Sequence, residues 1–397
     1  MTQIQQQEKS QKQIWLLFIG IVLIAINMRA PISAVGPLLQ NIQEDLGLSN
    51  VIAGSMTTIP LVAFALLSPL APRWAEKYGM ERTVFFAFLF IVVGIILRIY
   101  PDVTFLLVGT LFVGMAIAIC NVLLPPIMKQ NFPLHIGLMT GIYGLVMNIA
   151  AAISSGISEP LATVLNWNGA LAIWGVTSIL AVCIWSYQLR RKQKEEGRAR
   201  KVNLATTIRL SRSRLAWYVT AFMGLQSFIY YTVLTWLPQL LVTYGYSSIS
   251  AGWMLATMQA ALFPMTFIIP IIAAKMKNQR ALSVLTGLAF LLSSIGLLSG
   301  IWLPVWVLLM GVACGNAFGL AMMFFSLRTI ETSHAARLSG MAQSLGYLLA
   351  ALGPVLFGIV YELFHSWSAP LLILVTASFL LCFIGYLAGD GFVEKDR

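Results

Sequence analysis

Ala25-Ile26-Asn27-Met28-Arg29-Ala30-Pro31 decides the class of this chain once its surroundings are read. The seven residues lie inside an apolar run over residues 14–39, long enough as a helix to cross a bilayer core of about 30 Å. An arginine at that depth costs at least about 2.5–3.5 kcal/mol on insertion scales, so it is expected to face a protein interior or a wet cavity and to have a task there. Every other Lys, Arg, Asp and Glu can be placed near the end of an apolar run or in a loop. One deep cation without a deep carboxylate points to a pathway for an anion or an electron-rich polar solute.

Outward from that stretch the pattern repeats. Hydrophobic residues make up 59% of the 397 residues and charged residues 10%, against about 25% charged in soluble domains. Polar breaks divide the chain into twelve apolar runs, at residues 14–39, 50–71, 83–99, 104–125, 134–158, 168–189, 215–241, 249–274, 281–300, 303–327, 336–361 and 367–389. The first run is too long for a signal-peptide core and is expected to stay in the membrane. With the N-terminus inside, 23 of the 25 Lys and Arg fall on that same side; Arg29 lies within the membrane and Arg98 at an outer end. That bias predicts an even number of spans with both termini cytoplasmic. The net charge of +11 is therefore a topology signal and not a nucleic-acid footprint. Lone Cys120, Cys183, Cys314 and Cys382 read as small core residues. No metal-ligand or catalytic signature is present, so neither metal nor cofactor is expected, nor is an enzyme.

The largest polar break, residues 190–214, holds ten Lys or Arg and two Glu. It separates a six-helix bundle at 14–189 from one at 215–389, with short tails at 1–13 and 390–397 that are expected to be solvated. Sliding the chain by 199 residues places Asn27 on Gln226, Gln40 on Gln239, Lys129 on Arg328, His135 on His334 and Gly141 on Gly340. A six-plus-six duplication leaves such a constant offset and puts a solute site near mid-membrane. The two histidines are expected to titrate in solvent at loop edges.

After the second run the chain reads Ala71-Pro72-Arg73-Trp74-Ala75-Glu76-Lys77-Tyr78-Gly79-Met80-Glu81-Arg82. This resembles the loop signature of the major facilitator superfamily, with Pro72 in place of its first glycine. Gly79 suits a tight turn, and Glu76, Lys77 and Arg82 are candidates for a conformational latch at helix ends. Three further stretches resemble the cyanate and 2-nitroimidazole porters of that superfamily. They are residues 27–31, then Asn121-Val122-Leu123-Leu124-Pro125-Pro126 with residues 138–143, and Gly224-Leu225-Gln226-Ser227-Phe228-Ile229-Tyr230-Tyr231 leading to Trp236-Leu237-Pro238. The resemblance implies an all-α polytopic membrane protein, with twelve transmembrane helices in two pseudo-repeated bundles of the major facilitator fold. It implies a monomeric porter for a small polar or anionic solute in a bacterial cytoplasmic membrane.

In that fold the first, fourth, seventh and tenth spans line the cavity. Pro31 cannot donate to the carbonyl of Asn27, nor Pro37 to that of Ser33, so the first span is expected to kink. Asn27 and Arg29 lie about 200° apart on an ideal helix; Arg29 shares its face with Ser33 and Gly36. Arg29 is the leading anion-binding candidate, the alternative being a structural tie to a neighbouring helix. Gln226 and Tyr230 share a face of the seventh span, with Tyr231 beside them, and suit a small planar polar solute. Interhelical hydrogen bonding is the alternative there. Asn27, Asn121, Tyr143, Asn148, Gln259 and Gln343 are further candidates for lining the site. Gly311, Gly315 and Gly319 read as a packing stripe, and Trp15, Trp217 and Trp302 as interfacial anchors.

A non-transporting solute sensor or a membrane enzyme would need a signalling domain or convergent catalytic groups. A proton-coupled drug exporter is the nearer rival, although no carboxylate is buried and the fifth span lacks the Gly-Pro pattern such pumps often carry. The charge distribution predicts that Ser211→Cys, in a cysteine-free background, resists an impermeant thiol reagent added outside intact cells. Labelling of that position from outside would overturn the topology.

Overall fold

A computed structural model of the chain describes residues 3–48, 50–196 and 210–396, and among them every regular element is a helix. The first crossing is made by α1 (Gln3–Ser33) and α2 (Val35–Leu46), and the second by α3 (Asn50–Leu67) and α4 (Leu70–Tyr78). Next come α5 (Met80–Leu97), α6 (Val103–Asn131), α7 (Ile136–Ala172) and α8 (Trp174–Glu196). Asn166, at φ 59° and ψ 173°, interrupts α7 and separates the fifth crossing from the sixth, a backbone conformation that is strained for any residue but glycine. The seventh to twelfth crossings are α9 (Arg214–Thr243), α10 (Ser248–Lys275), α11 (Arg280–Ser299), α12 (Leu303–Leu327), α13 (Thr332–Phe364) and α14 (Ser368–Ala388). Twelve crossings thus follow the twelve apolar runs. The polar start of the chain from Gln3 continues α1 as helix, which its Gln, Glu and Lys residues favour. Residues 197–209 of the expected linker lie outside the described residues.

The chain forms two compact units, Met1–Leu124 with Val146–Thr207, and Pro125–Leu145 with Ile208–Arg397. The units do not follow chain order, because the hairpin between α6 and α7 belongs to the second. Its Gly137 and Gly141 lie against the backbone of Pro270 and Phe267 on α10. In the first unit α8 packs on α1 and α5, and in the second α13 packs on α9, α12 on α10, and α14 on α11. Small residues permit these approaches, as they do wherever helices pack in lipid. A Cβ at Gly311 would lie 2.1 Å from the Met258 carbonyl oxygen, and one at Gly315 would lie 2.4 Å from that of Leu262. The glycine stripe of α12 is therefore a packing surface for α10.

Three expectations are corrected. Cys183 is exposed and Cys382 only half-buried, while Cys120 and Cys314 are core residues as expected. His334 is buried at 3% exposure against Glu394, whereas His135 is exposed on the turn Pro133–His135. The C-terminal tail is also docked: Val393 is 1% exposed and donates its amide to the Arg328 carbonyl, and Asp396 accepts from Ser213 and from the Leu215 amide at the start of α9. An eight-residue tail has no periodicity from which docking could be read.

Gly311→Ala is expected to destabilise the folded protein by about 1–3 kcal/mol, the usual cost of overpacking. Gly252→Ala, with open space around its Cβ, is the matched control. Thermal melts of both variants test this, and equal melting temperatures would remove the packing role from Gly311.

Candidate functional site

In the first unit the candidates begin on α1. The helix passes Pro31 unbroken and stops at Ser33, before Ala34, four residues ahead of Pro37. That is where a proline ring crowds the preceding turn and leaves a carbonyl without its amide. The Ser33 carbonyl accepts instead from the Ser155 hydroxyl at 3.1 Å. The Pro31 carbonyl accepts from Arg98 Nη1 at 2.8 Å. Arg98, expected at an outer span end, is 2% exposed, and its Nε and Nη2 have no hydrogen-bond partner among the described residues. Arg29 is thus not the only cation taken out of water.

Asn27 is fully buried. Its Nδ2 donates to the Leu23 carbonyl at 2.8 Å, and its Oδ1 accepts from Ser178 at 2.6 Å and Thr177 at 3.0 Å on α8. Its carboxamide ties α1 to α8. Arg29 is half-buried, on the more open side of α1 with half-buried Ser33 and exposed Gly36. Asn121 on α6 is buried and Asn148 on α7 half-buried in the same unit.

In the second unit α9 brings three candidates within two turns. Gln226, 3% exposed, donates to the Ser227 hydroxyl at 2.6 Å and to Met223 Sδ at 3.3 Å. The Tyr230 hydroxyl donates to Gln259 Oε1 on α10 at 3.2 Å, and its ring meets that of Tyr231 edge-on at 5.1 Å. Tyr230, Tyr231 and Gln259 are all half-buried, so the group joins a hydroxyl, an amide and two ring faces at a partly open position. Gln343 on α13 is fully buried and donates to the Ser339 hydroxyl at 2.9 Å. Tyr143 is buried in the hairpin of the second unit, so it and Asn148, both on α7, fall in different units. Asn316 on α12 has a buried Oδ1 with no hydrogen-bond partner.

At the latch sequence, Gly79 takes φ 89° and ψ 147° between α4 and α5, a conformation open to glycine and strained for other residues. Its carbonyl accepts from the Thr83 amide and hydroxyl. Glu76, Lys77 and Arg82 are exposed around this turn. Among the described residues no cluster of three or more His, Cys, Asp or Glu could hold a metal.

The model of the Major Facilitator Superfamily matches residues 17–354. The chain belongs to this superfamily. It is 39% identical to the uncharacterized transporter YycB of Bacillus subtilis (strain 168), over 98% of both chains. It is 38% identical to the 2-nitroimidazole transporter of Escherichia coli (strain K12), covering 94% of this chain and 95% of that one. The cyanate transport protein CynX of the same organism is 27% identical, over 91% and 97%. Among solved structures, the superfamily transporter FucP, in an outward conformation, superposes with a TM-score of 0.75 at 12% identity, covering 95% of this chain and all of that one. As a member of the major facilitator superfamily, the chain is a multi-pass membrane transporter.

Within this superfamily fold, sequence reading missed Ser155, Thr177, Ser178 and Arg98. Each answers a polar group of α1 across more than sixty positions of chain, and no local spacing announces that. Pro37 was the available signal for Ser155, since the Ser33 carbonyl it frees needs a donor from elsewhere in lipid. Asn27→Leu should destabilise the protein by about 0.6–1.7 kcal/mol, the scale of interhelical hydrogen bonds in membranes. Combined with Ser178→Ala, the loss should be less than additive. Strict additivity in melts of the single and double variants would dissolve the tie.

Proposed function

We propose that this chain is a secondary active transporter for a small anionic or polar solute, a cyanate-like anion or a nitroimidazole-like heterocycle. It works by alternating access, as a monomer, in the cytoplasmic membrane of a bacterium, with both termini and the 190–214 linker cytoplasmic. The six-span bundles at 14–189 and 215–389 are its moving bodies. The observation that carries this reading is Arg29, a half-buried cation on the open side of an interrupted first span. The names of the relatives supply the solute class: one carries 2-nitroimidazole and another is a cyanate transport protein.

In this reading the Arg29 guanidinium offers a planar fork to an anion or a nitro oxygen. Tyr230 and Gln259 add a neutral donor and acceptor, and Tyr231 a ring face for a planar solute. Gln226, Asn121, Asn148, Tyr143 and Gln343 contribute polar lining, while Asn27 fixes the helix that carries Arg29. Glu76, Lys77, Gly79 and Arg82 act as a latch, with Gly79 setting the turn and the charges bracing helix ends in one of the two states.

The test is binding and uptake of cyanate and 2-nitroimidazole by purified protein in proteoliposomes. Arg29→Lys keeps the charge and loses the fork. Affinity should fall on the order of ten- to a hundredfold, matching the about 1.5–3 kcal/mol of a charged hydrogen bond. Tyr230→Phe, which removes a neutral partner, should cost less. Wild-type affinity in a well-folded Arg29→Lys protein would remove Arg29 from the site.

A further inference from the structure

The corner between α12 and α13 is gripped from two directions, both within the second compact unit. From the end of α6, the Lys129 ammonium donates to the Ser326 carbonyl at 2.8 Å, to the Thr329 carbonyl, and to the Thr329 hydroxyl at 2.9 Å. From the C-terminal tail, Glu394 Oε1 accepts from the amides of Ile330 at 2.7 Å and Glu331 at 3.2 Å, and lies 2.9 Å from His334 Nδ1. The arrangement follows helix polarity. Carbonyls ending α12 meet a cation, and amides beginning α13 meet an anion. The tail is anchored beyond Glu394, since Arg328 Nη1 donates to the Gly391 carbonyl at 3.2 Å and Asp390 pairs with Arg280 at 3.4 Å.

The charges reinforce one another. Burial pushes the Glu394 carboxyl up, but its hydrogen bonds with His334 and with backbone amides outweigh this and hold it below the usual carboxylate range. Ionised, it attracts the Lys129 ammonium across the corner. His334 also has Glu331 at 3.8 Å on its other ring nitrogen. Lys129 and the corner come from different six-span repeats of the sequence, whereas Glu394 and the corner come from the same one. Where the two repeats are the moving bodies, as in the alternating-access reading, their motion releases Lys129 and leaves Glu394 in place.

We propose that Glu394 is a positioning residue of the transport cycle: through the docked tail it holds the 328–334 corner in the form that receives Lys129. This rests on the alternating-access reading above. A contact present in one state of a cycle sets that state's population, so weakening its socket shifts the balance of states.

The decisive variant is Glu394→Gln, which keeps the size of the side chain and an oxygen able to accept from Ile330 and Glu331, and loses the charge. The first readout needs no solute. Lys129 in the purified protein is acetylated with a small amine reagent and followed by mass spectrometry, with exposed Lys277 as the internal reference. Lys129 labelling should accelerate by about threefold or more relative to Lys277, as expected when a populated contact is weakened. Glu394→Asp, which retains the charge, should label at a rate between the two, and it serves if the Gln variant does not fold. The second readout is 2-nitroimidazole uptake in proteoliposomes. There the maximal rate of Glu394→Gln should fall about threefold or more, with KM within about twofold, the pattern of a lost step and not of lost binding. Lys129 labelling as slow as wild type in a folded Glu394→Gln protein would overturn the proposal, and so would an unchanged maximal rate. If the wild type carries no 2-nitroimidazole, the solute reading fails, and the labelling still decides whether Glu394 holds the corner.

Discussion

Inside a bilayer no water is available to satisfy a backbone carbonyl, and that constraint organises the first span of this protein. Prolines in the first span remove the amides that would have bonded its carbonyls. The answers come from other helices. Ser155 reaches the Ser33 carbonyl, which Pro37 frees, and Arg98 adds a second tie to the same span at the Pro31 carbonyl. In the second unit a tryptophan ties two helices, Trp236 Nε1 on α9 donating to the Pro354 carbonyl on α13 at 2.9 Å. A proline that frees a carbonyl in lipid thereby specifies a neighbour, and a break in a helix becomes a tie between helices.

The ties leave α1 with two unequal sides. Asn27 spends its carboxamide on Leu23, Ser178 and Thr177, and its side of the helix is sealed against α8. Arg29, about 200° around an ideal helix, lies on the side with Ser33 and Gly36 that stays open. The geometric difficulty of aiming both residues at one solute is thus absent, because they do different work. One holds the helix in place and the other faces a more accessible space.

How much of this could be read from residues alone depends on the range of the interaction. Crossings were legible, because twelve apolar runs each carry their own signal. The need for glycine at Gly79 and the packing role of the Gly311 stripe were legible too, since each follows from local spacing. Arg98 was not, because a residue at the end of a helix can turn back into the bundle, and only the distant Pro31 carbonyl shows that it does. The candidate site was legible in its residue types and only partly in its groupings. Tyr230 and Gln259 do meet, yet Tyr143 and Asn148 on one helix fall in different compact units.

The C-terminal tail shows why charge alone is a poor guide to where a segment sits. Glu394 belongs to a short, strongly polar stretch that composition assigns to solvent. It is held because the backbone amides of Ile330 and Glu331, just ahead of α13, both donate to its carboxylate. Lys129 is held by the complementary deficit, the carbonyls left over at the end of α12. Helix ends are thus cation and anion receptors whose ligands can come from anywhere in the chain. Such receptors act as fasteners: Glu394 and Lys129 each tie a distant stretch of chain to the corner between α12 and α13, and both ties lie within one compact unit.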